Sequence, residues 1–191
     1  MKYQIFNEEI QNIKNEDYKE SLKVLLDLVP DYFYEIQAAS TGKYHPEYAQ
    51  GFQGLIRHTK AAFYIAKEVL SLEGMNNFFS DKEKDLMLIA ILLHDTFKCG
   101  KTKEKYTRFD HPLLVGDFLK ENKDKTKFKD EDINFLTMVI ASHMGQWNTS
   151  CYSDIELPKP NNKYEMFVHI CDYLASRKAI EIKFNNNNIQ K

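Results

Sequence analysis

The sequence is poor in the residues that punctuate chains. Seven glycines and 5 prolines in 191 positions are too few for a long linker or a collagen-like repeat. Cysteine is scarcer still: Cys99, Cys151 and Cys171 are the whole set, which excludes a disulfide scaffold or a cysteine-rich zinc site and points to a reducing, cytoplasmic setting. No apolar run approaches the roughly 20 residues of a membrane span. The start, Met1-Lys2-Tyr3-Gln4, leads into Glu8 and Glu9 rather than the apolar core of a signal peptide. Neither sign of charge dominates, since 26 Lys and Arg against 28 Asp and Glu leave a formal charge of -2. No whole-molecule field therefore steers the chain to nucleic acid or an anionic membrane. A phosphate-binding loop, a dinucleotide glycine pattern, a nucleophile elbow, a His-Glu-x-x-His zinc motif and any internal repeat are also missing.

What is present is helical periodicity with enough apolar residues, 43%, for one sizeable core. Leu22, Leu25, Leu26 and Val29 form a stripe that predicts a helix over residues 9–28, and Pro30 opens another through Tyr32, Phe33 and Ile36. Residues 39–46 mix small residues, Gly and Pro and read as a loop long enough to act as a lid. Further helices are expected over 55–72, over about 81–98 behind a Ser80/Glu83 capping box, and over 113–119 after Asp110-His111-Pro112. Asp130 is expected to cap a helix reaching His143, and a last long helix to span 162–182. Residues 99–109 read as an exposed, Lys-rich stretch, residues 145–160 as a long irregular connection, and Asn185 to Asn188 as a fraying polar end. No segment shows sustained strand alternation, so an all-helical bundle is expected.

Four features stand out from this scaffold: His58 within a helix, the adjacent pair His94-Asp95, His111 and His143 at helix boundaries, and Asp172 in a largely apolar stretch. The His94-Asp95 pair alone is as compatible with a core or capping role as with ion binding. Neighbouring helical residues point about 100 degrees apart, so both can serve one site only if the local backbone lets them converge.

The order His58, His94-Asp95, Asp172 resembles the signature of the HD-domain metal-dependent phosphohydrolases, across roughly residues 54–178. Gly54-Leu55-Ile56-Arg57-His58-Thr59, Leu92-Leu93-His94-Asp95-Thr96-Phe97-Lys98, Asp110-His111-Pro112, Ser142-His143-Met144-Gly145 and Asp172-Tyr173-Leu174-Ala175-Ser176 are each similar to a local context of that superfamily. Lys98, three residues beyond Asp95, resembles the HD-x-x-Lys branch, in which two ions are common. The resemblance implies an HD-type helical bundle over residues 51–184, with a helical extension and loop over 1–50 packed on it and a polar tail over 185–191. It further implies that His58, His94, Asp95 and Asp172 hold one ion, and that Asp95 bridges to a second held also by His111 and His143. The related cyclic-dinucleotide phosphodiesterases carry paired histidines and a Gly-Tyr-Pro signature. Here His143-Met144 stands in place of the pair and the signature is missing, which argues against their substrate and leaves the second ion with less support than the first.

Mixed imidazole and carboxylate donors suit Mn, Fe, Co, Ni or Zn rather than an all-oxygen Mg site. Two such ions, about 3.5–4 Å apart, clamp phosphoryl oxygens and supply hydroxide for in-line attack. The implied activity is thus phosphodiesterase or phosphomonoesterase, with a small nucleotide or nucleotide-derived phosphoester as substrate. Asp95 and Lys98 are the catalytic candidates, and Lys98, Arg57, Arg177, His45 and Trp147 the candidates for substrate contact. For Arg57 an outward salt bridge is an equal or better expectation, for His45 a surface-loop role is the simpler one, and for Trp147 a hydrophobic loop anchor is at least as simple; His169, one turn before Asp172, is expected to pack between helices. Cys99 and Cys171 are expected near the site but not as nucleophiles. Two alternatives remain: a nucleic-acid end-processing exonuclease, which the lack of an aromatic-interleaved basic groove disfavours, and a noncatalytic nucleotide-binding domain. No membrane partner is expected. The aromatic-rich first helices suit a homo-oligomer interface or an ordinary core, the core being the simpler expectation.

Overall fold

The computed structural model describes residues 1–40, 45–75 and 77–190; residues 41–44 of the lid-length loop lie outside the described residues. Helices account for nearly all the regular structure, in an all-α bundle. The expected helix over 9–28 is interrupted: a short α1 (Asn7–Ile10) precedes α2 (Glu16–Leu28). The break is set from a distance, because the Asp85 carboxylate accepts the N–H groups of Lys14 and Asn15, both at 2.9 Å, and Asn15 Oδ1 accepts from the Tyr18 N–H. After Pro30 the chain makes one 3-10 turn (Asp31–Tyr34) rather than a helix to Ile36. Its next peptide groups pair with residues 49–55 instead, as in Ala38 N–H to Ala49 O and Leu55 N–H to Ile36 O, both 2.9 Å.

Next come α3 (Gly54–Ser71), α4 (Asp81–Leu93), α5 (His111–Glu121), α6 (Asp130–Ala141) and α7 (Lys163–Ala175). The first position of α3 has to be glycine, because a Cβ on Gly54 would lie 2.3 Å from Ala49 O. The Ser80/Glu83 capping box opens α4, an arrangement worth about 1 kcal/mol. Every residue of α4 from Asp85 to Leu93 is buried, the pattern of a helix enclosed on all sides. It packs on α2, α3, α6 and α7. Asp130 does not cap α6: Lys129 holds that place, and its N–H is taken by Asp132 at 3.0 Å. Asn162 caps α7, which stops at Ala175, seven residues short of the expected end.

The Asn-rich end is not frayed. Phe184–Asn185 and Asn188–Ile189 pair as an antiparallel hairpin, β1 and β2, turned by Asn186 at φ 54, a conformation asparagine tolerates. The Asn187 side chain donates to Gln53 Oε1 and accepts from Arg57, fastening the hairpin to the start of α3. Among the described residues, no helix is long and apolar enough to cross a membrane.

Candidate metal centre

Five elements converge at the C-terminal end of α4. His58 comes from the second turn of α3, His94 and Asp95 from the turns that follow Leu93, and His111 from the first position of α5. His143 follows α6, and Asp172 lies near the end of α7. Placing His94-Asp95 inside a helix therefore needs correction: α4 ends at Leu93, and the chain continues in turns with Thr96 N–H on Leu93 O and Lys98 N–H on Asp95 O. Tyr32 secures these turns, its hydroxyl donating to Gly100 O at 2.6 Å and accepting from the Cys99 N–H. Within the Lys-rich stretch, Cys99 and Gly100 are accordingly buried and exposure begins at Lys101.

Asp95 sits between two donor sets. Its Oδ2 faces His94 Nε2 at 3.4 Å and His58 Nε2 at 3.9 Å, and Asp172 Oδ1 lies 2.9 Å from His58 Nε2 and 3.4 Å from His94 Nε2. Its Oδ1 faces His111 Nε2 at 3.0 Å and His143 Nε2 at 3.7 Å, and those two nitrogens are 3.3 Å apart. Atoms sharing one ion at about 2.0–2.2 Å must lie roughly 3–3.6 Å from one another, close to these separations. Asp95 Oδ1 and His94 Nε2 are buried without an aligned hydrogen bond, as ligand atoms left for an ion should be.

Backbone carbonyls set the tautomers. His94 Nδ1 donates to Ile91 O at 2.7 Å, His111 Nδ1 to Arg108 O at 2.7 Å and His143 Nδ1 to Ile140 O at 2.8 Å. With Nδ1 bonded to a carbonyl, each ring turns its Nε2 inward, the arrangement that prepares histidine for a metal. His58 differs, with its Nδ1 unpartnered. Electrostatics divide the rings. Burial, with His94 and His111 nearby, pushes His143 down to about 3 and keeps it neutral. Burial opposes charge on His94 too, but the Asp95 and Asp172 carboxylates prevail and raise it to about 10. Against their own burial, Asp95 is held well below the usual carboxylate range by Lys98 and His94, and Asp172 by His58 and His94. Lys98 forms an ion pair with Asp95 Oδ2. The donor set fits a divalent metal.

A cavity of about 580 Å³ opens onto this cluster, and His45, Lys98, Trp147 and Arg177 all line it with Asp95, His111, His143 and Asp172. Arg57 does not reach it. Its guanidinium is committed to Tyr48 O, Gln50 O and Asn187 Oδ1 and lines a separate groove of about 920 Å³, so assigning it to the substrate is corrected to fastening the chain around α3. His45 packs edge-on to His58 at 5.2 Å between ring centroids; burial, then the neighbouring His58 and Lys98, lowers it to about 3. Tyr173 was not singled out from the sequence, yet it lies in the wall with Trp147 stacked against it and the Arg177 guanidinium 4.4 Å from its ring. Its spacing four residues before Arg177, one turn apart in the helix expected over 162–182, was the available signal. Burial raises the Cys171 thiol to about 12, which removes it as a nucleophile.

His169 also lines the cavity, and its Nδ1 donates to His143 O at 2.7 Å, tying α7 to the His143 loop. Gly145, at φ +60, makes room: a Cβ there would lie 2.1 Å from the His169 ring. Gly145→Ala is expected to displace that ring and destabilise the fold by about 1–3 kcal/mol. An unchanged melting temperature for the variant would show that the packing is not needed.

A bundle of helices with a buried histidine–aspartate cluster that could hold an ion is the architecture of a metal-binding helical domain. The chain belongs to the HD domain family, whose model matches residues 55–177, a family made up mostly of metal-dependent phosphohydrolases. No curated protein and no solved structure matches it.

Proposed function

We propose that this protein is a two-ion phosphohydrolase of the HD-x-x-Lys type that cleaves a nucleotide or nucleotide-derived phosphoester. The observation that carries the reading is Asp95, one carboxylate whose Oδ2 faces His94 and whose Oδ1 faces His111, in a cluster where His94, His143 and Asp172 also lie within reach of one another. His58, His94 and Asp172 with Oδ2 would hold one ion, and His111 and His143 with Oδ1 the other, drawn from Mn, Fe, Co, Ni or Zn. When bound, such ions polarise a phosphoryl oxygen and lower the pKa of water toward about 7.

The chain's own residues supply the rest. The bonds from Nδ1 to backbone carbonyls keep three Nε2 atoms ready for the ions, and Lys98 sets a positive charge in the cavity wall where a nonbridging phosphoryl oxygen or the leaving group is neutralised. His45, neutral and with its Nδ1 unpartnered, offers a hydrogen bond to the substrate. With both ions in place, positive charge exceeds that of Asp95 and Asp172, which favours an anionic ligand. The cavity volume suits a small ligand.

The test is metal analysis of the untreated protein, reconstitution with each of the five metals, and a panel of nucleoside phosphates, cyclic dinucleotides, dinucleoside polyphosphates and oligonucleotides. Metal-dependent release of phosphate or nucleotide from a small member is expected. Nucleotide binding without turnover under any metal would establish the noncatalytic alternative, and turnover of oligonucleotides alone the exonuclease.

A further inference from the structure

We infer that Trp147, Tyr173 and Arg177 form a preformed shelf on which one nucleobase stacks, so that the cavity takes a nucleoside monophosphate-like ester with its base on the shelf and its phosphate at the ions. The position of the phosphate rests on the phosphohydrolase reading; the shelf stands on its own geometry. The Trp147 and Tyr173 rings are stacked with centroids 5.7 Å apart and planes at 19°. The Arg177 guanidinium lies 4.4 Å from the Tyr173 ring and 5.9 Å from that of Trp147. Trp147 is nevertheless 45% exposed, so this flat, cation-backed aromatic surface remains open to a ligand at the edge of the cavity.

The shelf is held from both sides. Before Trp147, its own N–H bonds Met144 O, and His169 grips His143 O. After it, the buried Asn148 donates to Leu157 O at 3.1 Å and Glu156 Oε1 at 3.0 Å, and Leu157 N–H returns to Asn148 O at 2.8 Å. A ring held in place before binding loses little entropy when a ligand arrives. Arg177 Nε and Nη2 bond only the adjacent Ser176 hydroxyl and Tyr173 O, and among the described residues it has no carboxylate partner. Its remaining N–H groups are available to a carbonyl or phosphate oxygen. A single-stranded nucleic acid would require successive stacking surfaces along a basic groove. Among the described residues this cavity offers one shelf, which fits one base.

Trp147 is the sole tryptophan, so its fluorescence reports the shelf directly. Metal-loaded protein would be titrated with adenosine monophosphate, adenosine, ribose 5-phosphate and orthophosphate. Quenching by the two base-bearing probes and none by the other two is expected. By equilibrium dialysis, Trp147→Ala should weaken adenosine monophosphate binding by on the order of tenfold or more with much less effect on orthophosphate, whereas Trp147→Phe keeps most of the affinity. Ribose 5-phosphate binding as tightly as adenosine monophosphate, or equal affinity in Trp147→Ala, would overturn the shelf. Quenching by adenosine in a protein that binds neither metal nor orthophosphate would uphold the shelf and overturn the phosphohydrolase reading.

Discussion

Asp95→Ala is expected to lower phosphoester hydrolysis by on the order of a thousandfold or more and to abolish binding of both ions. Among the described residues Asp95 is the carboxylate whose two oxygens face His94 and His111 separately, so its truncation would remove a donor from each of the two proposed sites. The same change has a structural cost. Asp95 is buried against Lys98 and His94, and removing one member of such a cluster leaves buried cations uncompensated, a loss of about 3–5 kcal/mol. Circular dichroism therefore accompanies the assay, with Asp95→Asn as the companion variant, which keeps the volume and removes the bridging charge. Folded Asp95→Asn protein with normal turnover or normal metal content would refute the bridging role.

Loading the metal-free protein with a divalent transition ion is expected to raise its melting temperature by roughly 8–16 °C at an ion concentration near 1,000 times the dissociation constant. That concentration is worth about 4 kcal/mol to the folded state, and a chain of this size gains about 2–4 °C per kcal/mol. The size of the shift should depend on pH, and the sign follows from His94. Its folded-state pKa is raised to about 10, so the metal-free fold draws stability from that proton below the ordinary imidazole value of about 6.5 and loses it as pH climbs toward 10. An ion at Nε2 must displace the proton. Metal uptake near neutral pH should then release protons, measurable by calorimetry in buffers of different ionisation enthalpy. The thermal shift should also be larger at about pH 8 than at about pH 6.5. No shift with any of the five metals would mean that the cluster is a hydrogen-bonded core and not a metal centre.

Helix periodicity foretold the long helices because their stripes are local: Ser80 and Glu83 begin α4 as a capping box, and Pro112 lies in the first turn of α5. Three of the errors arose where a distant group intervened. Asp85 ends the helix expected over 9–28, residues 49–55 take the peptide groups that would have extended the turn after Pro30, and Gln53 and Arg57 hold an asparagine tail that looked frayed. The site divides the same way. His58, His94, Asp95, His111, His143 and Asp172 were legible through their order and local contexts. Arg57 stands next to His58 in the chain, but its side chain is committed to carbonyls outside the cavity.

The sequence by itself determined the helical class, the scarcity of linkers and disulfides, and the histidines and aspartates brought into the cluster, because each is a matter of composition, period or motif. Only the tertiary structure decided that Asp95 turns one oxygen to each donor set, that three histidines turn Nε2 inward, and that Trp147 is stacked on Tyr173 beside them. Those facts depend on where side chains from α3 to α7 meet, and ring orientation there is set by carbonyls and neighbours that packing brings within about 3 Å, a length far shorter than any spacing along the chain can specify.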